Sequence, residues 1–516
     1  MQRLSSWLGG EWVEGTGKAS ILYNPTNHEA VAETATGGLD FEKAFHFARD
    51  VGGRALSSMT FAERGAMLAA MSKAIHSVRE ELIDIGRINA GNTRGDAKFD
   101  IDGATATLMY YAKLGESLGA QRVMVDGDAI QIGGARLQGQ HILTARPGAA
   151  LHINAFNFPA WGLAEKAACA LLAGMPVISK PATSTAYMTW RMVQAIAEAN
   201  VLPEGALSLV CGSAHDLLDH VTWSDVVAFT GGADTADLIR RHPQVLSTGA
   251  ALNLEADSLN TTVLAPEVDD ATYDAFITSV QREMTQKAGQ KCTATRRILV
   301  PQDRLDEVID DLGDALARTV VGDPALKQVR MGPLSTAAQV RSAHEGIAAL
   351  REEAEIVYGQ VEAMDLEGVA AGQGCFVTPL LLKARDADAG EAIHDVEVFG
   401  PVATVLPYDG RSAHAADLVQ RARGCLVTSL YVDDRRFMSD AIYDWSGYNG
   451  RLVITDAKIA AQAYGPGMAL PHLLHGGPGR AGGGEELGGP RGMRFYQQRC
   501  AIQGNGPLIA KCLSAD

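Results

Sequence analysis

The chain has 516 residues, 47% hydrophobic and 21% charged, with no long low-complexity tract, so it is globular and long enough for two or three domains. A formal charge of −16 argues against nucleic acid or anionic membrane as a general partner, and no apolar run approaches the length of a bilayer span. The seven cysteines are scattered, odd in number and free of CxxC spacing, which gives no metal site and suits a reducing compartment. The N-terminus lacks the apolar core of a signal peptide, so a soluble, cytoplasmic protein is expected.

A short β-rich entry precedes helices. Residues 59–88 carry helical periodicity, with Met67, Leu68, Met71, Ile75 and Val78 on one face, and a second helix is expected over 104–118. Inside it GESLG, residues 115–119, matches the GxSxG elbow of serine hydrolases. That elbow needs a strand before it, so Ser117 reads as a helix-end serine. Short runs of alternating polarity between 123 and 146 suit an antiparallel hairpin with too little apolar surface to stand alone. It is expected to project and pack on something else, such as another subunit.

Residues 149–256 alternate strand and helix. Strands are expected over 150–153, 176–179, 206–210 and 226–230, with helices over 161–173, 185–200, 215–221 and 235–241. This is the pattern of a doubly wound parallel sheet, which binds nucleotides at the carboxyl ends of its strands. The usual dinucleotide fingerprint is missing there. GxGxxG occurs once, at 477–482, where no strand is expected to lead into it and Pro478 stiffens the turn. Residues 258–470 carry a second α/β pattern. The tail, about 490–516, returns to extended character and is expected to pair with the 123–146 hairpin.

Within the second α/β region, TQKAGQKCTATRR (285–297) places Cys292 between helix and strand. Phe276, Val280, Met284 and Ala288 recur at four-residue spacing, Gly289 supplies a helix stop, and the apolar run 298–300 follows. With Lys291, Arg296 and Arg297 nearby, a lowered pKa and a nucleophilic thiolate are one reading of Cys292. A small buried apolar residue is the other. Glu255 ends the apolar run 250–254, a position that suits a carboxylate poised in a cleft.

Nine motifs in one order then resemble the aldehyde dehydrogenase superfamily. EWVEG (11–15) looks like its N-terminal signature, INAFNFP (153–159) like PWNFP, SKPAT (179–183) like KPAE, and FTGG (229–232) like FTGS. LEADS (254–258) stands where LELGG is usual and GQKC (289–292) where GQxC is usual, and MGPL (331–334), EVFGP (397–401) and EELG (485–488) complete the series. AFNFP, LEADSLN and HGGPGRAGGGEELGG (475–489) are similar to a subgroup that oxidises CoA-linked semialdehydes made by opening an aromatic-derived ring. The chain carries no hydratase domain after the last of these motifs, so the stand-alone form of that subgroup is expected.

The resemblance implies an α/β fold with two doubly wound parallel-sheet domains and a small β oligomerisation element. Residues 1–122 and 147–256 would form the cofactor-binding domain, 257–475 the catalytic domain, and 123–146 with 490–516 the oligomerisation hairpin and tail. Cys292 would attack the aldehyde, Asn157 and the Cys292 backbone N–H would hold the oxyanion, and Glu255 would be the general base. Lys166 and Glu486 (or Glu485) would relay protons. Lys180 and Thr183 would face the adenine ribose, Gly231 and Gly232 the pyrophosphate at the helix opening at Ala233, and Glu397 with Phe399 the nicotinamide ribose. NAD-preferring members carry a glutamate where this chain has Thr183, so NADP is the expected cofactor, with NAD possible. The implied substrate is 3,4-dehydroadipyl-CoA semialdehyde or a neighbour, and the implied assembly a homo-oligomer, a dimer favoured. The alternatives are a CoA-acylating dehydrogenase, a cysteine thioesterase using His152 or His475, and a non-catalytic nucleotide-binding protein that kept the fold.

Overall fold

The computed structural model describes residues 1–362 and 366–514. Two runs of short, apolar strands separated by helices each build a seven-stranded sheet. In the first, Ala251–Glu255, Val226–Thr230, Ala150–Ile153, Val177–Lys180 and Leu207–Leu209 lie parallel in that spatial order, all largely buried, as parallel sheets covered by helices require. Ser6–Leu8 and Glu11–Val13 extend it as an antiparallel edge. Strand order reverses at Ala150–Ile153, whose next strand in sequence lies on one side and Val226–Thr230 on the other. A crevice therefore opens beyond the carboxyl ends of these two strands. Lys180 and Glu255 are the last residues of their strands, so the topology delivers both to this end of the sheet.

The second sheet runs Ala354–Tyr358, Leu380–Ala384, Val402–Tyr408, Arg297–Pro301, Thr261–Leu264, Cys425–Tyr431 and Asn449–Thr455, parallel except for the first pair. The doubly wound α/β architecture expected from the sequence is present. Leu137–Ala145 pairs antiparallel with Gln497–Asn505 over nine residues, from Gln497↔Ala145 to Asn505↔Leu137, so the hairpin region and the tail do meet. Residues 515 and 516 of the tail lie outside the described residues. None of the described helices is long and apolar enough to cross a membrane.

Several local expectations need correction. The periodicity over 59–88 resolves into two helices, Phe61–Ser77 and Arg79–Ala90, which meet at Val78. A Thr60–Glu63 capping box starts the first of them. The helix expected from 104 begins at Arg94, because Thr93 Oγ1 accepts from the Asp96 N–H and caps it. Ser117 does sit in its last turn, bonded to the Leu114 carbonyl. Residues 215–221 hold only one 3₁₀ turn, Leu217–His220. Helix Asp270–Thr285 stops before Ala288, since Lys287 and Ala288 both take φ 52°. A strand, Leu474–Gly476, does lead into the 477–482 glycines, but its partner is the antiparallel Glu485–Leu487 and only a 3₁₀ turn follows, so no βα unit forms. The end of the tail is a helix, Gly506–Leu513.

Candidate active site

The loop that carries Cys292 enters the second sheet at Arg297–Pro301 and is held from both sides. Asn260 donates from Nδ2 to the carbonyls of Cys292 at 2.7 Å and Ala294 at 3.0 Å. From the first sheet, Asn157 Nδ2 donates to the Gln290 carbonyl at 3.0 Å. An amide carries two N–H donors, so one remains for a ligand. Asn157, Glu255, Cys292, Lys166 and His475 line one cavity of about 40 Å³, room for ordered water beside the thiol.

His475 is the residue the sequence reading underweighted. Its Nε2 lies 3.0 Å from Glu255 Oε2 and 3.7 Å from Cys292 Sγ. Burial pushes the Glu255 carboxyl up, but the His475 charge and hydrogen bond, with Lys166 behind them, outweigh it and hold the group at about 2. Burial likewise lowers His475, yet the Glu255 carboxylate raises it above its ordinary value. Each group therefore favours the charged form of the other, imidazolium beside carboxylate. His152, the other histidine considered as a partner for cysteine, is fully buried against Tyr496 and does not line this cavity.

The expected activation of Cys292 by neighbouring cations is not what the geometry provides. Burial pushes the thiol well above its ordinary range, and Glu255 and Glu165 push it further. Lys291 is ion-paired to Glu283 at 2.7 Å, Arg296 to Glu397 at 3.3 Å, and Arg297 donates to Thr261 Oγ1 and the Leu418 carbonyl. The cation whose field opposes the rise is Arg451. Its guanidinium donates to the carbonyls of Pro466 and Met468 and fixes the segment that adds Gly467 to the cavity wall.

Lys166 is fully buried, with Thr230 Oγ1 at 2.7 Å, Glu486 at 3.1 Å and Glu165 at 3.3 Å. Burial lowers its pKa, but three surrounding carboxylates raise it overall, so it stays charged. Burial raises Glu486 to about 7 against the pull of Lys166. Glu486 is thus the relay candidate, because Glu485 is exposed and its backbone is engaged by Asn253. One ribbon delivers both Glu486 and His475. Leu474–Gly476 and Glu485–Leu487 pair with His475 opposite Glu486, which sends both side chains to one face. The glycine loop between them lies on strand Ala251–Glu255, where Gly484 N donates to the Leu254 carbonyl and Ala256 N to Ala481. A Cβ at Gly482 (φ +105°) would collide with that same Leu254 carbonyl. The pairing was the one available signal for His475: once Glu486 is assigned, a hairpin around HGGPGRAGGGEE brings the histidine beside it.

Lys180 stands at its strand end without an ion pair among the described residues, and burial lowers it to about 8. Thr183 opens the turn Thr183–Thr185 just beyond. An incoming anion would answer both the charge and the burial of Lys180, so this end of the sheet fits a dinucleotide. Gly231 N donates to the Glu255 carbonyl, and open space surrounds a Cβ at Gly232. The helix start at Ala233 departs from expectation. Its N–H donates at 3.0 Å to Asp257, so a carboxylate already sits where pyrophosphate was expected. Glu397 accepts from the Ser258 N–H at 3.0 Å and pairs with Arg296, whose guanidinium also covers Phe399 at 5.3 Å.

The two sheets, joined at a half-buried cysteine faced by a carboxylate, define the class, and residues 12–499 match the aldehyde dehydrogenase family. The chain belongs to that family and is an NAD(P)-dependent aldehyde dehydrogenase. It is 45% identical over 480 residues to 3,4-dehydroadipyl-CoA semialdehyde dehydrogenase of Aromatoleum evansii, covering 92% of this chain and 93% of that protein. Among solved structures it resembles 3,6-anhydro-L-galactose dehydrogenase at TM-score 0.85 and 20% identity, covering 98% of this chain and 100% of the other. It also resembles Staphylococcus aureus betaine aldehyde dehydrogenase in complex with NAD+ at TM-score 0.83 and 24% identity, each chain covered to 98%. These two show the fold.

Proposed function

We propose that the protein oxidises a CoA-linked semialdehyde from aromatic ring cleavage, 3,4-dehydroadipyl-CoA semialdehyde or a close neighbour, to the free acid through a thioester on Cys292. The observation that carries the chemistry is the meeting of Cys292, Glu255 and His475, whose donor atoms lie within 4.8 Å of one another. The 45% relative supports the substrate. Glu255, anionic at rest, takes the thiol proton as the sulfur attacks the carbonyl carbon, and the free Asn157 N–H with the Cys292 backbone N–H holds the oxyanion. A bound dinucleotide would supply the acceptor for the hydride that leaves this carbon. Lys166 and Glu486 carry the thiol proton onward, and Glu255, again a carboxylate, deprotonates water for attack on the thioester and returns the proton to the departing thiolate, which releases the acid and restores the thiol. His475 positions Glu255 and keeps it charged.

On the cofactor side, Lys180 binds the adenine ribose and Thr183 leaves room for a 2′-phosphate, so NADP is preferred over NAD. Gly231 and Gly232 lie along the pyrophosphate, and Glu397 and Phe399 along the nicotinamide ribose. Residues 1–122 and 147–256 act as the cofactor domain and 257–475 as the catalytic domain. The sheet of 123–146 and 490–516 joins two copies in the cytoplasm, with Val125, Ile130, Ile132 and Leu137 as exposed apolar positions for a partner to cover. The test is a turnover panel of free aliphatic and CoA-linked semialdehydes, each with NAD and NADP. We expect the CoA-linked substrate with NADP to give the highest kcat/KM and a free acid as product. Equal or better kcat/KM with NAD sinks the cofactor reading, no preference for the CoA-linked aldehyde sinks the substrate reading, and an acyl-CoA product would reassign the second half-reaction.

A further inference from the structure

A groove of about 970 Å³ runs between the start of helix Arg94–Leu118 and the end of helix Asp270–Thr285. Six cations line it, Arg87, Arg94, Arg282, Arg318, Lys327 and Arg330, in a chain whose net charge is −16. Two carboxylates also line it. Asp84 lies 3.7 Å from Arg87, and Asp96 is buried and already accepts from Thr93 Oγ1 and the Lys287 N–H. Arg94 is paired with Glu80 at 2.7 Å. Arg282, Arg318, Lys327 and Arg330 are exposed and make no ion pair among the described residues. The positive end of a 25-residue helix opens into the same groove at Gly95.

Arg282 and Thr278 also line a second groove, of about 340 Å³, together with Ser279, Thr455 and Gly465. Gly467, two residues further on, forms part of the wall around Cys292. Arg282 and Thr278 thus join the cationic groove to a second groove, which ends two residues in sequence from the wall around the thiol.

We propose that this groove binds the 3′-phosphoadenosine diphosphate end of a CoA thioester, whose pantetheine arm reaches inward past Arg282 to Cys292. The inference rests on the CoA-semialdehyde reading above and names the site that would hold its nucleotide. That end of CoA carries a 3′-phosphate and a pyrophosphate, a cluster of negative charge that guanidinium forks recognise well and a free aliphatic aldehyde lacks.

The test uses desulfo-CoA, titrated calorimetrically into enzyme saturated with dinucleotide so that the cofactor site is filled. It compares wild type with the double variant Arg318→Glu/Lys327→Glu, which changes two exposed side chains away from the reacting groups. We expect the desulfo-CoA Kd and the KM for the CoA-linked semialdehyde to rise at least about tenfold, with turnover of free succinic semialdehyde unchanged. No binding of desulfo-CoA to wild type, or equal binding and KM in wild type and variant, overturns the groove assignment. A wild type that prefers the CoA-linked aldehyde while the variant keeps that preference sinks the groove alone. Loss of desulfo-CoA binding in the variant, with a wild type that oxidises both aldehydes alike, keeps the groove and sinks the substrate reading.

Discussion

Cys292 and Glu255 rest as a neutral thiol and an anion in one small cavity, and His475 favours the ionised form of the carboxyl. Replacing Glu255 with Gln should lower kcat by about 10²–10⁴-fold, the usual worth of a positioned general base. In His475→Gln the imidazolium is gone and burial dominates, so the Glu255 pKa climbs from about 2. The acid limb of the kcat/KM profile should then move to higher pH, a shift that a packing defect alone would not produce. The pair also sets a stability window. Glu255 is held below its ordinary 4.5, so its contribution is present above that pH and lost as pH falls towards 2. His475 is raised above 6.5, so its contribution is complete below that pH and lost as pH rises through the raised value. Cys292, Glu255 and Asn157 were legible because each sits in a motif of fixed spacing. His475 was not, because its role depends on a strand pairing across ten intervening residues, His475↔Glu486, that can be read only once Glu486 is assigned.

At the scale of elements, strongly periodic segments read well and their ends did not. Breaks such as Val78 and the stop at Thr285 are set by caps and by left-handed backbone at Lys287 and Ala288, which apolar spacing does not record. The helix Ala233–Arg240 is the instructive case. The sequence promised free N–H groups, and the fold brings Asp257 from a neighbouring strand end to occupy the first of them. Asp257→Gly should cost about 1 kcal/mol of stability by removing this cap, measurable by chemical denaturation. The same change should lower the dinucleotide KM several-fold, since it removes a negative charge from the place proposed for the phosphates. An unchanged or higher KM would mean that the phosphates lie elsewhere.

Across the whole molecule, the doubly wound architecture was legible from strand–helix alternation. The pairing of residues 137–145 with 497–505 meets the expectation that the extended tail would pair with the 123–146 hairpin. What local patterns did not record was how the two sheets meet, because those contacts join residues more than a hundred positions apart, as Asn157 does with Gln290. If the small sheet joins subunits, Ile130→Glu/Ile132→Glu should shift sedimentation towards monomer without unfolding the chain, since both side chains are exposed.

The glycine loop between His475 and Glu486 leaves no space for a side chain at Gly482, and the atom in the way is the carbonyl next to Glu255. A library randomised there should return glycine from every active clone, because even alanine moves the base. Drift is closed along this stretch while exposed helices remain open to it. Distant copies of this enzyme should therefore stay recognisable by the spacing of these glycines after the rest of the chain has diverged.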